Sequence, residues 1–209
     1  MPTVTKISEQ KLRPNRRNIF LDGAFAFGVN LNVVARFRLC EGLSLTDEQV
    51  REIEIGEVRQ ECFDQAMKYL SMRLHSAKEL QTKLMRREYG QTIVASVLED
   101  LQRLGYLDDA RFAKTKALSA AENKHHGRRR AMMELRKAGV KSDVADKALD
   151  DVYESTDMLA AARMLASKQA DRLKRLDPAV GKRRLIGMLQ RRGFDYEDIK
   201  SIVAEIFGE

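Results

Sequence analysis

A mainly α-helical chain of three tandem three-helix repeats in a curved, elongated array, preceded by a small N-terminal module containing a β-hairpin, is the fold this sequence predicts. Three observations predict it. One block of apolar columns occurs three times without a gap, at Leu80 to Leu101, Ala131 to Val152 and Leu185 to Ile206. Within each block the apolar residues step by three and four on either side of a short corner, the spacing of two helices joined by a tight turn. Near the N-terminus, Asp22-Gly23 separates two strand-like runs.

The columns justify the repeat. They begin with Leu80, Ala131 and Leu185, continue through Leu84, Leu135 and Leu189, and meet the corner before Tyr89, Val140 and Phe194. Beyond it come Val94, Ala145 and Ile199, then Val97, Ala148 and Ile202, then Leu98, Leu149 and Val203, then Leu101, Val152 and Ile206. Any two amphipathic hairpins align on such columns, but here copies two and three also share a glycine, Gly139 and Gly193, and all three carry a basic pair before the corner. Those pairs are Arg86-Arg87, Arg136-Lys137 and Arg191-Arg192. A fixed period of this kind belongs to stacked helical units, which present binding surfaces more often than catalytic pockets.

The elements follow in order. Val4 to Glu9 alternates weakly, and Arg17 to Leu21 and Ala24 to Val29 flank Asp22-Gly23, both of whose positions suit the positive φ of a type I′ turn. Leu31, Val34, Ala35 and Leu39 predict a short helix, and Thr46 with Gln49 forms a capping box that starts another at Asp47. Nine helices are then expected at about 60–74, 77–88, 92–104, 109–123, 127–138, 143–153, 156–173, 178–192 and 196–207. Their starts are marked by Ser76 with Glu79, Asp108, Ser142, Asp177-Pro178 and Asp195. Gly90, Gly105, Gly139 and Gly193 are expected to end helices in the left-handed conformation. The domains implied are 1–58, 59–108, 109–155 and 156–209.

Composition narrows the class. Thirty-eight Lys and Arg against 31 Asp and Glu give a net charge of +7, which favours an anionic partner. Cys40 and Cys62 form no CxxC or Cys/His ligand pattern, so neither a zinc site nor a disulfide framework is expected. No signal-length apolar run opens the chain and none of membrane-spanning length follows, so a cytoplasmic protein without membrane attachment is expected.

Catalytic constellations are missing. Asp108-Asp109 reads as a helix cap plus a favourable charge at the positive end of the dipole. His125-His126 has no Cys or His three to five residues away to complete a metal site, and His75 has no identifiable base partner. No phosphate loop, dinucleotide fingerprint or nucleophile elbow occurs. The protein is not expected to be an enzyme or to carry a cofactor or metal.

What remains is a basic signal. Ala121 to Val140 carries Lys124, Arg128, Arg129, Arg130, Arg136 and Lys137 against Glu122 and Glu134. Ala179 to Asp195 carries Lys182, Arg183, Arg184, Arg191 and Arg192 against Asp195. Both clusters open the second helix of a repeat, at Gly127-Arg128-Arg129-Arg130 and Gly181-Lys182-Arg183-Arg184. Stacked repeats place equivalent positions on one side, so the clusters, with Arg86 and Arg87, are expected to form a stripe that meets a phosphate backbone or an acidic protein groove. Its electrostatic weight is expected chiefly on Arg128, Arg129 and Arg130 and on Lys182, Arg183 and Arg184. The bland alternative is a solvated face that binds nothing specific.

Leu104-Gly105-Tyr106-Leu107-Asp108-Asp109-Ala110-Arg111-Phe112-Ala113 resembles the signature of the RecX family of bacterial recombination regulators. Ser76 to Leu80 with Lys83-Leu84, Arg128-Arg129-Arg130 through Glu134 to Val140, and Met188 to Phe194 are similar to the family's three repeat hairpins; Asn18 to Val29 is similar to its N-terminal hairpin. The resemblance runs over nearly the whole chain. It implies a three-repeat protein that lies along the RecA recombinase filament and restrains filament growth, ATP hydrolysis, strand exchange and the co-protease activity of the SOS response; a monomer is expected. Direct binding of single- or double-stranded DNA is reported for some members. Repeat one departs from the pattern by carrying Glu88 where copies two and three have glycine. Two other classes stay open from the residues: a sequence-specific DNA reader using the hairpins as helix-turn-helix units, and a purely structural helical adaptor.

Overall fold

The computed structural model describes residues 1–208. Three strands, β1 (Val4–Gln10), β2 (Arg13–Leu21) and β3 (Ala24–Asn30), form an antiparallel sheet in the order β1-β2-β3. Asp22 and Gly23 both take positive φ, 48° and 86°, as the type I′ turn requires. Helix α1 (Leu31–Arg36) follows, capped by the Asn30 side chain. Val4, Ile19, Val29, Val33, Leu39, Leu45 and Ile53 make a core under the sheet.

Helix α2 (Asp47–Met72) begins at the Thr46–Gln49 capping box and runs 26 residues without a break. The sequence places one helix start at Asp47 and another near residue 60; the structure merges the two. Gly56 weakens the helical pattern there, and its reason is steric. A Cβ at that position stands 2.6 Å from Cε2 of Phe37, so glycine lets the ring lie against the helix. Glu57 on the same helix receives the Asn30 backbone N–H at 2.6 Å and pairs with Arg16 at 2.7 Å, tying β2 and β3 to α2.

The remaining helices are α3 (Ala77–Met85), α4 (Gln91–Arg103), α5 (Asp109–Leu118, continued by a π-helical turn Ser119–Asn123), α6 (Arg128–Lys137), α7 (Ser142–Tyr153), α8 (Met158–Lys174), α9 (Pro178–Arg192) and α10 (Tyr196–Phe207). The chain divides into two compact units. One comprises residues 1–73 and 80–106; the other comprises residues 74–79 and the described chain from 107 onward.

In the first unit α2 packs on α4, where Arg59 donates to Asp100 and, at 3.0 Å, to the Ser96 hydroxyl. In the second, α5, α6 and α7 close one three-helix bundle and α8, α9 and α10 another. Leu80, Leu84, Leu135, Leu149, Leu185, Leu189, Ile199 and Ile202 are all fully buried, so the aligned columns are the buried columns. Each such leucine or isoleucine contributes about 1.5–3 kcal/mol by leaving water. Tyr89, Leu98 and Ile206 are the half-buried members.

The corners repeat as well. Glu88, Gly139 and Gly193 stand at the same step and all take left-handed φ, 65°, 77° and 83°. The departure at Glu88 therefore leaves that corner's backbone unchanged, against a side-chain penalty of about 1–2 kcal/mol. Gly90, expected in this role, instead has φ −60° and serves as the N-cap of α4. Two other starts differ from expectation: Lys141 rather than Ser142 stands at the N-cap position of α7, without a side-chain capping hydrogen bond, and the Asp195 side chain makes none to α10.

Within the second unit the corner of one repeat docks on the helix start of the preceding one. Gly127 sits four residues before its repeat's first column, and a Cβ there would lie 2.1 Å from the Gly193 carbonyl oxygen. The Gly127 N–H donates to the Arg192 carbonyl at 2.8 Å, and an Arg192 guanidinium nitrogen donates to the Lys124 carbonyl at 2.8 Å. Segment 74–79 meets the α6–α7 corner in the equivalent way. Ser76, the counterpart of Gly127, donates its hydroxyl to the Ala138 carbonyl at 2.5 Å while accepting the Glu79 N–H at 3.0 Å.

Candidate functional site

Helix starts with exposed N–H groups and basic side chains attract anions, so the two basic openings of α6 and α9 are the natural places to look. The structure treats them differently. On α6, Arg128 reaches Asp146 at 3.2 Å and Asp150 at 2.5 Å, both on α7. The hydrogen bond to Asp150 is the largest influence that raises its pKa above the ordinary arginine value. Arg129 spans to Asp195 at 3.1 Å, and Arg130 approaches Glu134 one turn along at 3.6 Å. All three arginines of the run therefore have acidic partners in their own chain.

Glu134 is a hub. It accepts from Lys124 at 3.2 Å and lies 3.0 Å from Nδ1 of His126. Burial pushes the Glu134 carboxyl up, but the hydrogen bond and charge of Lys124, aided by His126 and Lys116, outweigh it and hold the pKa below the usual carboxylate value. Burial is also the largest influence on His126 and depresses its pKa, against the opposing pull of Glu134. The π-helical turn after α5 and the positive φ of His125 (48°) bring Lys124 and His126 to this point, and the His126 N–H closes onto the Ala120 carbonyl at 2.8 Å.

On α9 the pattern reverses. Arg183, Arg184 and Arg191 have no acidic side chain within ion-pair distance among the described residues. Together with Arg172 from the last turn of α8, they line a groove of about 360 Å³ between the two helices, floored by Leu173, Gly187 and Met188 and flanked by Gln169. No acidic residue lines it. Lys182 instead lies over the Phe207 ring, 5.9 Å from its centroid.

Arg191 also lines a second groove, of about 540 Å³, with Arg129, Arg130, His126, Met133, Gln190 and Gly193. Repeats two and three thus share one basic face, joined at Arg191. Arg136 and Lys137 are exposed in the last turn of α6, and Arg192 is spent on the Lys124 carbonyl. Arg86 and Arg87 are exposed just beyond α3 in the first unit. Arg172 escaped the sequence reading because it lies outside the aligned columns; the basic last turn of α8, Arg172 and Lys174, was the available signal.

The acidic pair is structural. Asp108 accepts the N–H groups of Ala110 and Arg111 at 2.8 and 3.1 Å as the cap of α5. Asp109 accepts the Ala77 N–H at 2.8 Å, satisfying the start of α3 rather than only its own helix. Among the described residues no group of three or more His, Cys, Asp or Glu side chains is placed to hold a metal ion, and no helix is long and apolar enough to cross a membrane.

Fold and surface together define a helical-repeat protein with a basic face on its second and third repeats. Four family profiles match in order: the regulatory protein RecX N-terminal domain over residues 2–46, and the first, second and third RecX three-helix domains over 62–101, 108–149 and 156–203. The chain is 32% identical over 206 residues to the regulatory protein RecX of Bacillus subtilis strain 168, covering 99% of this chain and 78% of that one. It is 31% identical over 209 residues to that of Leuconostoc mesenteroides, covering 100% and 78%. A crystal structure of regulatory protein RecX shares the fold at 24% identity, with a TM-score of 0.82 over 97% of this chain and 98% of that one. The crystal structure of RecX from Lactobacillus salivarius does so at 22% identity, with a TM-score of 0.64 over 72% and 97%. The chain belongs to the RecX family of regulatory proteins.

Proposed function

We propose that the protein binds the RecA recombinase filament and restrains its extension, ATP hydrolysis, strand exchange and co-protease activity, thereby adjusting DNA repair and the SOS response. In this reading it is a non-catalytic, monomeric regulator of the cytoplasm, built from a module at 1–58 and repeats at 59–108, 109–155 and 156–209. The observation that carries the reading is the in-order match of all four RecX segments along the chain. The basic face of repeats two and three supplies the charge by which such a protein meets an extended nucleoprotein, since complementary fields raise association rates and fix register.

The test adds the protein to recombinase filaments formed on single-stranded DNA. ATP hydrolysis and strand exchange are both expected to fall at substoichiometric ratios of this protein to recombinase. Binding that leaves both rates unchanged assigns the protein instead to the adaptor class, and no effect of any kind refutes the reading.

A further inference from the structure

The three-stranded sheet closes one of its edges and leaves the other open. Along β1 the chain covers its own edge with residues 41–45. The Val4 N–H donates to the Leu43 carbonyl at 2.9 Å, the Gly42 N–H to the Val4 carbonyl at 2.8 Å, and the Ile7 N–H to the Glu41 carboxylate at 3.0 Å. Thr3 and Ser44 add a β-bridge. β3 forms the opposite edge. At its C-terminal end Arg16 donates to the Gly28 carbonyl at 2.9 Å and Glu57 accepts the Asn30 N–H. Ala24 to Phe27 remains, and among the described residues the backbone of this stretch hydrogen-bonds to β2 alone.

An open edge offers N–H and C=O groups to any extended chain, and proteins ordinarily blunt it with charge, proline or cover. β1 carries Lys6 and Glu9 and β2 carries Arg13, Arg16 and Arg17, whereas β3 has no charged residue and no proline, and Ala24, Phe25 and Ala26 are exposed. A bulge interrupts its register: Ile19 faces Phe27 but Phe20 faces Phe25, so Ala26 is the extra residue. The bulge sets Phe25 against Phe20, edge to face with ring centroids 5.9 Å apart, while the Lys6 ammonium lies 5.8 Å from the Phe20 centroid. Lys6, Phe20 and Phe25 thus make one row across all three strands, on the face opposite buried Ile19. The row stops at Phe25, 59% exposed beside the open edge. A fourth strand would continue both the ladder and the row.

Charge selects the occupant. Residues 1–46 carry seven Lys and Arg against Glu9, Asp22 and Glu41, a net charge of +4. A second copy would bring like charge to like, so an acidic chain is favoured over self-pairing.

We propose that β3 takes up, by strand addition, an extended acidic segment of a partner protein, which pairs with Ala24–Phe27 through its backbone and lays an apolar side chain beside Phe25. Four residues of strand span about 13 Å. This gives the N-terminal module a docking role of its own, independent of the recombinase reading. Its test contains no recombinase, so the two readings fail separately.

The probe is a labelled eight-residue peptide of alternating valine and glutamate, titrated into the full chain by fluorescence anisotropy. A Kd below about 1 mM is expected, with amide hydrogen exchange across Ala24–Phe27 slowed severalfold on binding. Only every second N–H of an added strand faces the edge. Of two peptides N-methylated at alternate residues, one on the odd positions and one on the even, one should therefore bind at least about tenfold more weakly than the other. Ala26→Glu and Phe25→Ser, both at exposed positions, should each weaken binding of the unmethylated peptide about fivefold or more while circular dichroism stays that of the parent. Arg183→Ala with Arg184→Ala, in the third repeat, should leave it unchanged. The proposal is overturned if the parent binds no peptide at about 5 mM, if both N-methylated peptides bind alike, or if the folded edge variants bind as the parent does. Two further results overturn it. Sedimentation showing a dimer that Ala26→Glu dissociates would assign the edge to a second copy, and oligothymidylate slowing exchange across Ala24–Phe27 as the peptide does would assign the aromatic row to nucleic acid.

Discussion

Gly127-Arg128-Arg129-Arg130 and Gly181-Lys182-Arg183-Arg184 are near twins in sequence, each opening the second helix of a repeat, and they end in opposite electrostatic states. The first is bound inward to Asp146, Asp150, Asp195 and Glu134; the second turns two arginines toward an open groove. The difference lies at other positions of the repeat. In register, repeat three carries Lys200 and Ala204 where repeat two has Asp146 and Asp150, and Met188 where repeat two has Glu134. A basic run is therefore left without acidic partners only where the surrounding positions, in its own repeat and in the next, withhold the acids.

The two openings also differ in what packs on them, and this gives the largest expected effect. Gly127 meets backbone atoms of Gly193 and Phe194 from the next repeat, so Gly127→Ala forces the junction apart. A loss of about 3 kcal/mol or more in unfolding free energy is expected by chemical denaturation. A loss under about 1 kcal/mol would show that the junction yields.

Transplanting an acid sharpens the contrast. Met188→Glu gives Arg184 the partner that Glu134 gives Arg130, and should reduce oligonucleotide affinity severalfold. The stability change should be no more than about 1–2 kcal/mol, because Met188 is only partly buried. Unchanged affinity would mean that a partner one turn away does not neutralise the groove.

The converse change should be smaller. Asp146→Ala with Asp150→Ala releases Arg128, and both aspartates are about half exposed, at 48% and 55%. Stability should fall by no more than about 1 kcal/mol, while oligonucleotide affinity rises about two- to threefold.

The smallest effect is a pH dependence confined to repeat two. The folded pKa of His126 is depressed, so the unfolded chain binds the proton more readily and stability is lost as pH falls below about 6.5, the unfolded value. Glu134, also depressed, contributes stability above its unfolded value near 4.5 and loses it as pH falls through the lower folded value. Unfolding midpoints between pH 7.5 and 5.5 should decline in the parent and flatten in His126→Gln. An equal decline in both would assign the effect elsewhere.

Much of this was legible from residues. The apolar columns are the buried columns, Asp22-Gly23 makes its turn, and Thr46, Asp108 and Asp177 cap their helices. The continuity of α2 was not, because Gly56 earns its place through the Phe37 ring, a contact between distant residues. Gly90 was misplaced for a local reason: the left-handed residue of repeat one is Glu88, which composition argues against and register alone supports. At the candidate site, the basic clusters were visible but their pairing was not. Asp195 reaches Arg129 from another repeat, and Arg172 enters the groove from a helix outside the aligned blocks.

The most direct measurement compares the two openings in one assay. Recombinase ATP hydrolysis on single-stranded DNA is titrated with the parent chain, with the triple alanine variant at Arg128, Arg129 and Arg130, and with that at Arg183, Arg184 and Arg191, each shown to be folded by circular dichroism. The repeat-three variant should need about tenfold more protein for half-inhibition, and the repeat-two variant no more than about threefold more. Equal losses, or a greater loss in the repeat-two variant, would contradict the division of the basic face into a paired half and a working half.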